Sequence, residues 1–201
     1  MELNTEAVFK FYGLSLAHNK PPVVIEQSRD TLPALFNHLG YDKGAEIGVE
    51  FGTFSETIAD GLPGVQLYAI DPYDAYPGYR EHLSQSKMDA MYKQATERLA
   101  GKAQILRQFS IAAVMDFNPG DLDFVYIDGN HSFLHITEDI HYWSSIVRHG
   151  GIVAGHDYKR HKGEYINHVK DVVQAWTYSH AINPWFVLTG DKSASWFWVK
   201  A

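Results

Sequence analysis

From residue 41 onward, short apolar runs alternate with stretches whose apolar positions recur at helical spacing. This alternation is typical of βαβ units and predicts a parallel sheet covered by helices. Residues 1–40 are only loosely amphipathic and are interrupted by Pro21-Pro22. We therefore interpret residues 1–40 as an N-terminal leader or lid segment that precedes one domain over residues 41–201.

Five apolar runs in this domain have the length and composition of buried parallel strands. They are Ala45–Val49, Gln66–Ile70, Ala103–Leu106, Asp123–Ile127 and Ile152–Ala154. Two further runs, Trp185–Leu188 and Ser195–Val199, are separated by a loop of hairpin length. That short separation predicts an antiparallel end to the sheet.

Helical patterns fill the intervals between these runs. The three longest are Lys87–Ala100, Phe133–Val147 and the stretch around Val169–Trp176, and we expect Gly150-Gly151 to end the second of them. The expected fold class is therefore α/β, with five parallel strands, a terminal antiparallel hairpin and helices on both faces of the sheet.

Composition narrows the classes of protein that this chain can belong to. Of its 201 residues 45% are hydrophobic and 20% are charged, as in ordinary globular proteins. The net charge of −7 argues against a nucleic-acid partner, and the lack of cysteine excludes disulfides and thiolate metal sites. We expect no signal peptide, because the sequence opens without a basic stretch or an apolar run, and no apolar run approaches the roughly 20 residues that cross a bilayer. We expect a cytoplasmic protein that does not bind membranes, and we leave homo-oligomer formation open.

A glycine-containing turn follows the first predicted strand in the pattern Glu46-x-Gly48-x-x-x-Gly52. Glycines at such a turn let the backbone bend tightly and approach a ligand, and the following helix start offers free N–H groups to a carboxylate. This spacing differs from the G-x-G-x-x-G that binds a pyrophosphate. Asp71 ends the next strand, where an acidic side chain can accept the hydroxyls of a ribose.

These two segments resemble the first motif and the second, acidic motif of class I S-adenosylmethionine-dependent methyltransferases. The resemblance implies a Rossmann-like methyltransferase sheet and S-adenosylmethionine as the cofactor. It further implies that Glu46 and the turn from Gly48 to Gly52 hold the methionine end, and that Asp71 holds the ribose. Ser110 matches a position near the adenine in this family, although it could equally cap a helix over Ile111–Phe117.

Two aspartates end neighbouring predicted strands, Asp128 after the fourth and Asp157 after the fifth. In an open α/β sheet such strand ends line the ligand crevice. Two carboxylates brought together there repel each other unless a proton, strong donors or a cation compensates. A divalent cation such as Mg²⁺ would satisfy both, because it prefers carboxylate oxygens.

The string Asp128-Gly129-x-His131, with Gly150-Gly151 and His156-Asp157 after it, resembles the methyltransferase-24 family. That family is related to metal-dependent catechol and macrolide-sugar O-methyltransferases, and the resemblance implies that Asp128 and Asp157 bind the metal. The third ligand of those relatives is an acid or an amide, whereas this chain has His156 and Tyr158 at the matching positions. A ligating His156 would favour Mn²⁺, Fe²⁺ or Zn²⁺ over Mg²⁺.

His131 matches the general base of the macrolide-type relatives. An imidazole can take a hydroxyl proton near neutral pH, which agrees with that role. The alternative is that His131 caps the helix after it or binds a backbone carbonyl. His131 and Asp128 are therefore the expected catalytic residues.

Four functions compete at this stage. The first is metal-assisted O-methylation of a small hydroxylated acceptor, such as a sugar or an aromatic compound. The second is methylation without a metal, in which Asp128 and Asp157 bind the acceptor directly. A cofactor-binding domain without turnover is disfavoured by the joint presence of Glu46, Asp71, Asp128, His131 and Asp157, and a nicotinamide dehydrogenase is disfavoured by the glycine spacing.

Overall fold

A mixed sheet forms the centre of the protein. The computed structural model on which this description rests covers residues 3–17, 20–77, 83–161 and 167–201. Within these residues the sheet has eight strands. They are β1 (Val23–Ile25), β2 (Lys43–Ile47), β3 (Gln66–Ile70), β4 (Gln104–Leu106), β5 (Leu122–Ile127), β6 (Val147–Gly155), β7 (Phe186–Leu188) and β8 (Ser195–Val199).

Helices cover both faces of this sheet. They are α1 (Leu3–Phe11), α2 (Leu32–His38), α3 (Thr53–Gly61), α4 (Gln85–Arg98), α5 (Ser110–Ala113), α6 (Phe133–Ile146) and α7 (Val169–Ser179), with 3₁₀ turns at Arg29–Thr31 and Val114–Asp116. Among the described residues, no helix is both long enough and apolar enough to span a membrane.

The strand order across the sheet is β1-β7-β8-β6-β5-β2-β3-β4. Strands β2 to β6 pair in parallel, whereas β8 lies antiparallel between β6 and β7. The expected α/β sheet with five parallel strands and a terminal hairpin is therefore confirmed. The register pairs Ile47 with both Ile70 and Ile127, and Ile127 with Gly155, so the residues that follow these strands meet at one edge.

The central strand β5 shows why the sheet needs helices on both sides, because all six of its residues are buried. Val125 and Ile127 face one layer, where they belong to the apolar cluster that contains Trp143 of α6. Phe124 and Tyr126 face the opposite layer, which is built by α1, α2 and α3. A continuous apolar run is what a parallel strand covered on both faces requires.

Strand β1 is a feature that the hydrophobic pattern did not reveal. It pairs in parallel with β7 at one edge of the sheet, and its buried Val23 and Ile25 flank an exposed Val24. A three-residue strand after Pro21-Pro22 is too short to produce a recognisable alternation. Part of the segment that we interpreted as a leader thus contributes to the sheet and to one apolar layer.

The predicted role of Gly150-Gly151 was wrong. Helix α6 ends at Ile146, and β6 begins at once and runs through both glycines. A Cβ on Gly151 would lie 2.4 Å from the backbone oxygen of Asp123, so glycine is needed there for close strand packing. The pairing of β5 with β6 shifts register between Leu122 and Phe124, beside these glycines.

Several element bounds also differ from the predicted ones. The first predicted strand, Ala45–Val49, is shifted to Lys43–Ile47, because the backbone turns at Gly48. The predicted Ile111–Phe117 helix is instead the short α5 followed by a 3₁₀ turn. Helix α4 begins and ends two residues before its predicted bounds.

The burial contrast within β1 supports a matched test. We expect Val23→Ala to lower the free energy of unfolding by about 1–3 kcal/mol, because it removes buried methyl groups and leaves a cavity. Val24→Ala is the same substitution one residue later, at a side chain that is 57% exposed rather than 6%, and should cost about 0.5 kcal/mol or less. Urea denaturation of both variants measures the difference, and equal losses would contradict the inclusion of β1 in the core.

Candidate active site

The turn after β2 brings two strand ends into backbone contact. Gly48 has a φ of +87° and its N–H donates to the carbonyl of Ile70 at 2.8 Å. A Cβ at this position would lie 2.3 Å from the backbone oxygen of Asp128, so no larger residue fits. Gly52, at φ +74°, then starts α3 in a left-handed conformation that favours glycine.

Glu46 is buried beneath this turn, with 2% of its surface exposed. Its Oε2 accepts a short hydrogen bond from the Ser55 hydroxyl of α3. Burial, together with the negative charges of Asp128 and Asp71, raises the pKa of Glu46 to about 8 against the opposing effects of Ser55 and Arg29. At neutral pH this carboxyl is therefore mostly protonated, and a cation placed beside it would favour its ionised form.

Asp71 fixes the shape of the glycine turn. Its Oδ2 accepts hydrogen bonds from the backbone N–H groups of Val49 at 2.9 Å and Glu50 at 3.2 Å, and its Oδ1 accepts one from Tyr73 at 2.9 Å. The side chain expected to face a ribose is thus also a structural anchor, and the residue is only 7% exposed.

Two cavities adjoin each other at Gly48 and Asp71. The first is lined by the apolar side chains of Ile70, Pro72, Phe109 and Ile111, together with Ser110 and Tyr76. The second is lined by charged groups, among them Arg29, Glu46, Glu50 and Asp128. The pair has the chemistry of a site for a ligand with one flat, apolar end and one charged end.

Ser110 lines the apolar cavity but does not act as a helix cap. Its hydroxyl forms a short hydrogen bond to Asp139 and accepts the indole N–H of Trp143 at 2.8 Å. The N-cap position of α5 is Phe109, without a capping side-chain hydrogen bond. Burial raises the pKa of Asp139 to about 7, against the opposing Ser110 hydrogen bond.

At the ends of β5 and β6, the structure brings the predicted aspartates and histidines together. His131 lies between the two carboxylates, with Nε2 3.4 Å from Oδ1 of Asp128 and Nδ1 3.3 Å from Oδ2 of Asp157. One ligand atom from each of these three residues lies within 4.8 Å of the other two, which is a spacing compatible with one shared metal ion. His156 approaches Asp128 Oδ2 at 3.4 Å and Asp157 Oδ1 at 3.7 Å.

Both aspartates are held in the ionised form. Burial opposes ionisation of Asp128, but hydrogen bonds from His131 and His156 hold its pKa well below the usual range. The pKa of Asp157 is also lowered, because Ser193 and Lys159 outweigh the effect of burial. Ionised carboxylates are the form that binds a cation.

The alternative role of His131 as a helix cap does not match its surroundings. At the start of α6, the backbone N–H of Phe133 is bound by Nδ1 of His168 at 3.1 Å. The backbone oxygen of His131 accepts the N–H of His168 at 2.9 Å, while the ring of His131 faces the two aspartates.

Arg29 is a site residue that the sequence analysis did not single out. Its NH1 lies 3.3 Å from Asp128 Oδ2 and 3.4 Å from the hydroxyl of Tyr126, and its guanidinium stands over the ring of Phe54 at 4.4 Å. Arg29 and Asp128 are 99 residues apart in the chain, and no motif connects them. Only the fold, through β1 and the 3₁₀ turn after it, brings Arg29 to this edge.

The raised pKa of Glu46 predicts a pH dependence of stability. An unfolded glutamate ionises near its ordinary pKa, so between about pH 4.5 and pH 8 the folded protein binds one proton more than the unfolded chain. Stability then falls as pH rises, by about 1.4 kcal/mol per pH unit at most. We expect Glu46→Gln to remove this component, so that the wild type loses stability relative to the variant between pH 5 and pH 7.5.

Guanidinium denaturation at several pH values measures that difference. Glu97→Gln provides a matched control, because it is the same substitution at an exposed glutamate of α4. Parallel stability curves for the wild type and Glu46→Gln would contradict the raised pKa.

Comparison with known proteins identifies the family of this chain. A family model described as a methyltransferase domain, that of the methyltransferase-24 family, matches residues 45–158, which is more than half of the chain. No curated protein sequence matches the chain.

Two solved structures illustrate the similarity of fold. An O-methyltransferase from Bacillus cereus, in complex with SAH, is 16% identical to this chain with a TM-score of 0.61. The alignment covers 98% of this chain and 90% of the Bacillus cereus chain. The O-methyltransferase TomG from Streptomyces achromogenes, involved in tomaymycin synthesis and solved with SAM, is 16% identical with a TM-score of 0.61, covering 100% and 91%. At these identities the two structures show similarity of fold alone. The family model, in contrast, matches the sequence itself over more than half of its length. The chain therefore belongs to the methyltransferase domain family of S-adenosylmethionine-dependent methyltransferases.

Proposed function

We propose that the protein methylates a hydroxyl group of a small acceptor and that a divalent cation assists the reaction. The observation that carries this proposal is the cluster of Asp128, His131 and Asp157, whose ligand atoms lie within 4.8 Å of one another. The cluster stands beside the charged cavity, because Asp128 belongs to both. An acceptor bound at the cluster would therefore lie next to the cofactor.

In this proposal the methionine end of S-adenosylmethionine occupies the charged cavity and the adenosine occupies the apolar one. Glu46 receives the ammonium group, and Asp71 accepts hydrogen bonds from the ribose. Phe109 and Ile111 provide apolar surface for the adenine, with Ser110 beside them. The shared position of Gly48 and Asp71 between the two cavities supports one continuous ligand across both.

The donor set suits a divalent cation. It comprises two ionised carboxylates and one imidazole, and the nitrogen ligand favours Mn²⁺, Fe²⁺ or Zn²⁺ over Mg²⁺. When bound, such a cation would lower the pKa of an acceptor hydroxyl and restrict its orientation. Catalysis by the chain's own residues then consists of holding acceptor and cofactor in line, because the neutral thioether that leaves needs no acid.

The position of the two histidines suggests an exchange of their expected roles. His131 lies between both carboxylates, which suits a ligand, whereas His156 is outside the three-residue cluster. A nitrogen that binds a cation cannot accept a proton at the same time. We therefore place His131 among the metal ligands and His156 as the imidazole that receives the acceptor proton. The role of His131 as general base, expected from the sequence, would then apply only to a reaction without metal.

A metal-independent reaction is the second candidate, and one observation favours it. The chain supplies its own cations to both aspartates: Arg29 lies 3.3 Å from Asp128, and Lys159 lies 2.9 Å from Asp157. Two positive charges beside two carboxylates reduce the need for an added ion. In this case Asp128 and Asp157 would bind the acceptor directly.

Direct measurement of cation binding separates the two candidates without a known acceptor. We expect Mn²⁺ to bind the wild type in calorimetry, and Asp128→Asn and Asp157→Asn each to abolish the binding while S-adenosylhomocysteine still binds. Asp116→Asn alters an exposed carboxylate elsewhere and should bind Mn²⁺ like the wild type. Wild-type protein that binds none of Mn²⁺, Mg²⁺, Fe²⁺ and Zn²⁺ would favour the metal-independent reaction.

The same measurement distinguishes the histidines. His131→Ala should weaken Mn²⁺ binding by about 10-fold or more, because it removes a ligand, whereas His156→Ala should leave it nearly unchanged. The opposite result would restore the original expectation of His156 as ligand and His131 as base. Once an acceptor is known, His156→Ala should lower kcat by about 10²–10⁴-fold, the range for loss of a general base.

A further inference from the structure

We propose that Arg29 binds the carboxylate of the cofactor's methionine end and that Asp191, in the loop between β7 and β8, positions Arg29 for this contact. The inference rests on the proposed placement of the cofactor in the two adjoining cavities. It assigns a binding residue that lies outside the segment matched by the family model, residues 45–158.

The charge of the second cavity gives the first reason. Four acidic residues line it, Glu46, Glu50, Asp71 and Asp128, and Arg29 is the one cation among its described lining residues. The methionine end of the cofactor carries an ammonium and a carboxylate. The acidic side chains suit the ammonium, but the carboxylate needs a positive partner in this cavity, and Arg29 is in the position to supply it.

The presentation of the guanidinium gives the second reason. Within the described part of the chain its hydrogen bonds all come from NH1, at 3.3 Å to Asp128 and 3.4 Å to Tyr126, which are long contacts. A guanidinium carries five N–H donors, so further donors are available for a planar carboxylate. The Cζ atom of Arg29 lies 4.4 Å from the centroid of the Phe54 ring, so the guanidinium packs against one wall of the cavity.

The third reason is that the hairpin loop fastens the turn that carries Arg29. Asp191 accepts the backbone N–H of Arg29 at 2.7 Å through Oδ2 and the hydroxyl of Ser28 at 2.9 Å through Oδ1. The neighbouring Gly190 donates its N–H to Gln27 at 2.9 Å, and a Cβ on Gly190 would lie only 2.5 Å from the Gln27 backbone. Asp191 is thus a positioning residue that acts through Arg29.

A different role for Arg29 would be only to neutralise Asp128. The two roles differ in what a ligand must contain. If Arg29 binds the methionine carboxylate, its loss weakens the binding of ligands that carry this carboxylate and leaves the binding of other ligands unchanged. If Arg29 only neutralises Asp128, its loss changes the binding of both kinds of ligand by the same factor.

The test compares S-adenosylhomocysteine with 5′-methylthioadenosine, which has the same adenosine and thioether but no amino-acid end. We expect Arg29→Gln to weaken the binding of S-adenosylhomocysteine about 10- to 100-fold in calorimetry, which is the range for the loss of one charge-assisted hydrogen-bonded pair. Binding of 5′-methylthioadenosine should change less than about twofold. Arg29→Lys keeps the charge but loses the planar fork and should give an intermediate loss.

Arg148→Gln is the matched control, because Arg148 lies at the start of β6, at the other end of the strand from the site, and pairs with Asp123 at 2.6 Å. It should bind both compounds like the wild type. An unchanged ratio of the two affinities in Arg29→Gln would overturn the role of Arg29. Wild-type protein that binds neither compound would overturn the cofactor placement itself, so the two failures are distinguishable.

A double-mutant cycle tests the role of Asp191. Asp191→Asn alone should weaken the binding of S-adenosylhomocysteine about three- to tenfold. Added to Arg29→Gln it should have no further effect, because Asp191 acts through Arg29. An equal loss in both backgrounds, or an equal loss for 5′-methylthioadenosine, would show that Asp191 serves only the fold and would overturn its positioning role.

Discussion

The contact between the turn after β2 and the end of β5 is the constraint on which the site depends. The backbone N–H of Asp128 donates to Ile47 at 2.7 Å, and Gly48 leaves no space for a Cβ against the Asp128 carbonyl. This contact sets the separation of the glycine turn from the Asp128 side chain. Because β2 and β5 are neighbours in the centre of the sheet, it also places the two adjoining cavities beside the Asp128, His131 and Asp157 cluster.

Four carboxyl groups meet at this edge, and the protein compensates each one in a different way. Glu46 is buried against a hydroxyl and carries a raised pKa, whereas Asp71 is held by backbone N–H groups. Asp128 is compensated by Arg29 and two histidines, and Asp157 by Lys159 and Ser193. Such a concentration of buried carboxyl groups costs stability, which is typical of a site that binds cationic groups.

The sequence predicted the parts of this arrangement that depend on local pattern. Strands β3 and β8 have their predicted bounds, since apolar runs bounded by turn residues are visible in a single sequence. The aspartates after β5 and β6 come together because the carboxyl ends of parallel strands share one edge. The continuation of β6 through Gly150-Gly151 was not predicted, because two glycines favour a turn unless a neighbouring strand needs their small size.

What the sequence could not reveal depends on contacts between distant segments. Arg29 reaches Asp128 only because β1 pairs with β7 and places the following turn above Phe54. Likewise Asp157 is held by Ser193 from the hairpin loop. Neither contact can be predicted from a local sequence pattern, because the two partners are distant in the chain and only the assembled sheet brings them together.

The division between these two kinds of residue follows the matched family segment. Residues 45–158 contain the glycine turn, Asp71 and the aspartate–histidine cluster, whereas Arg29, Asp191 and Ser193 lie outside it. The flanking segments meet each other through β1, β7 and β8, at the opposite end of the sheet from β4. A change in either flank can therefore alter the charged cavity without changing the motif residues. In this fold the ends of the central strands carry the motif residues, and the paired flanks supply the contacts of Arg29 with Asp128 and of Ser193 with Asp157.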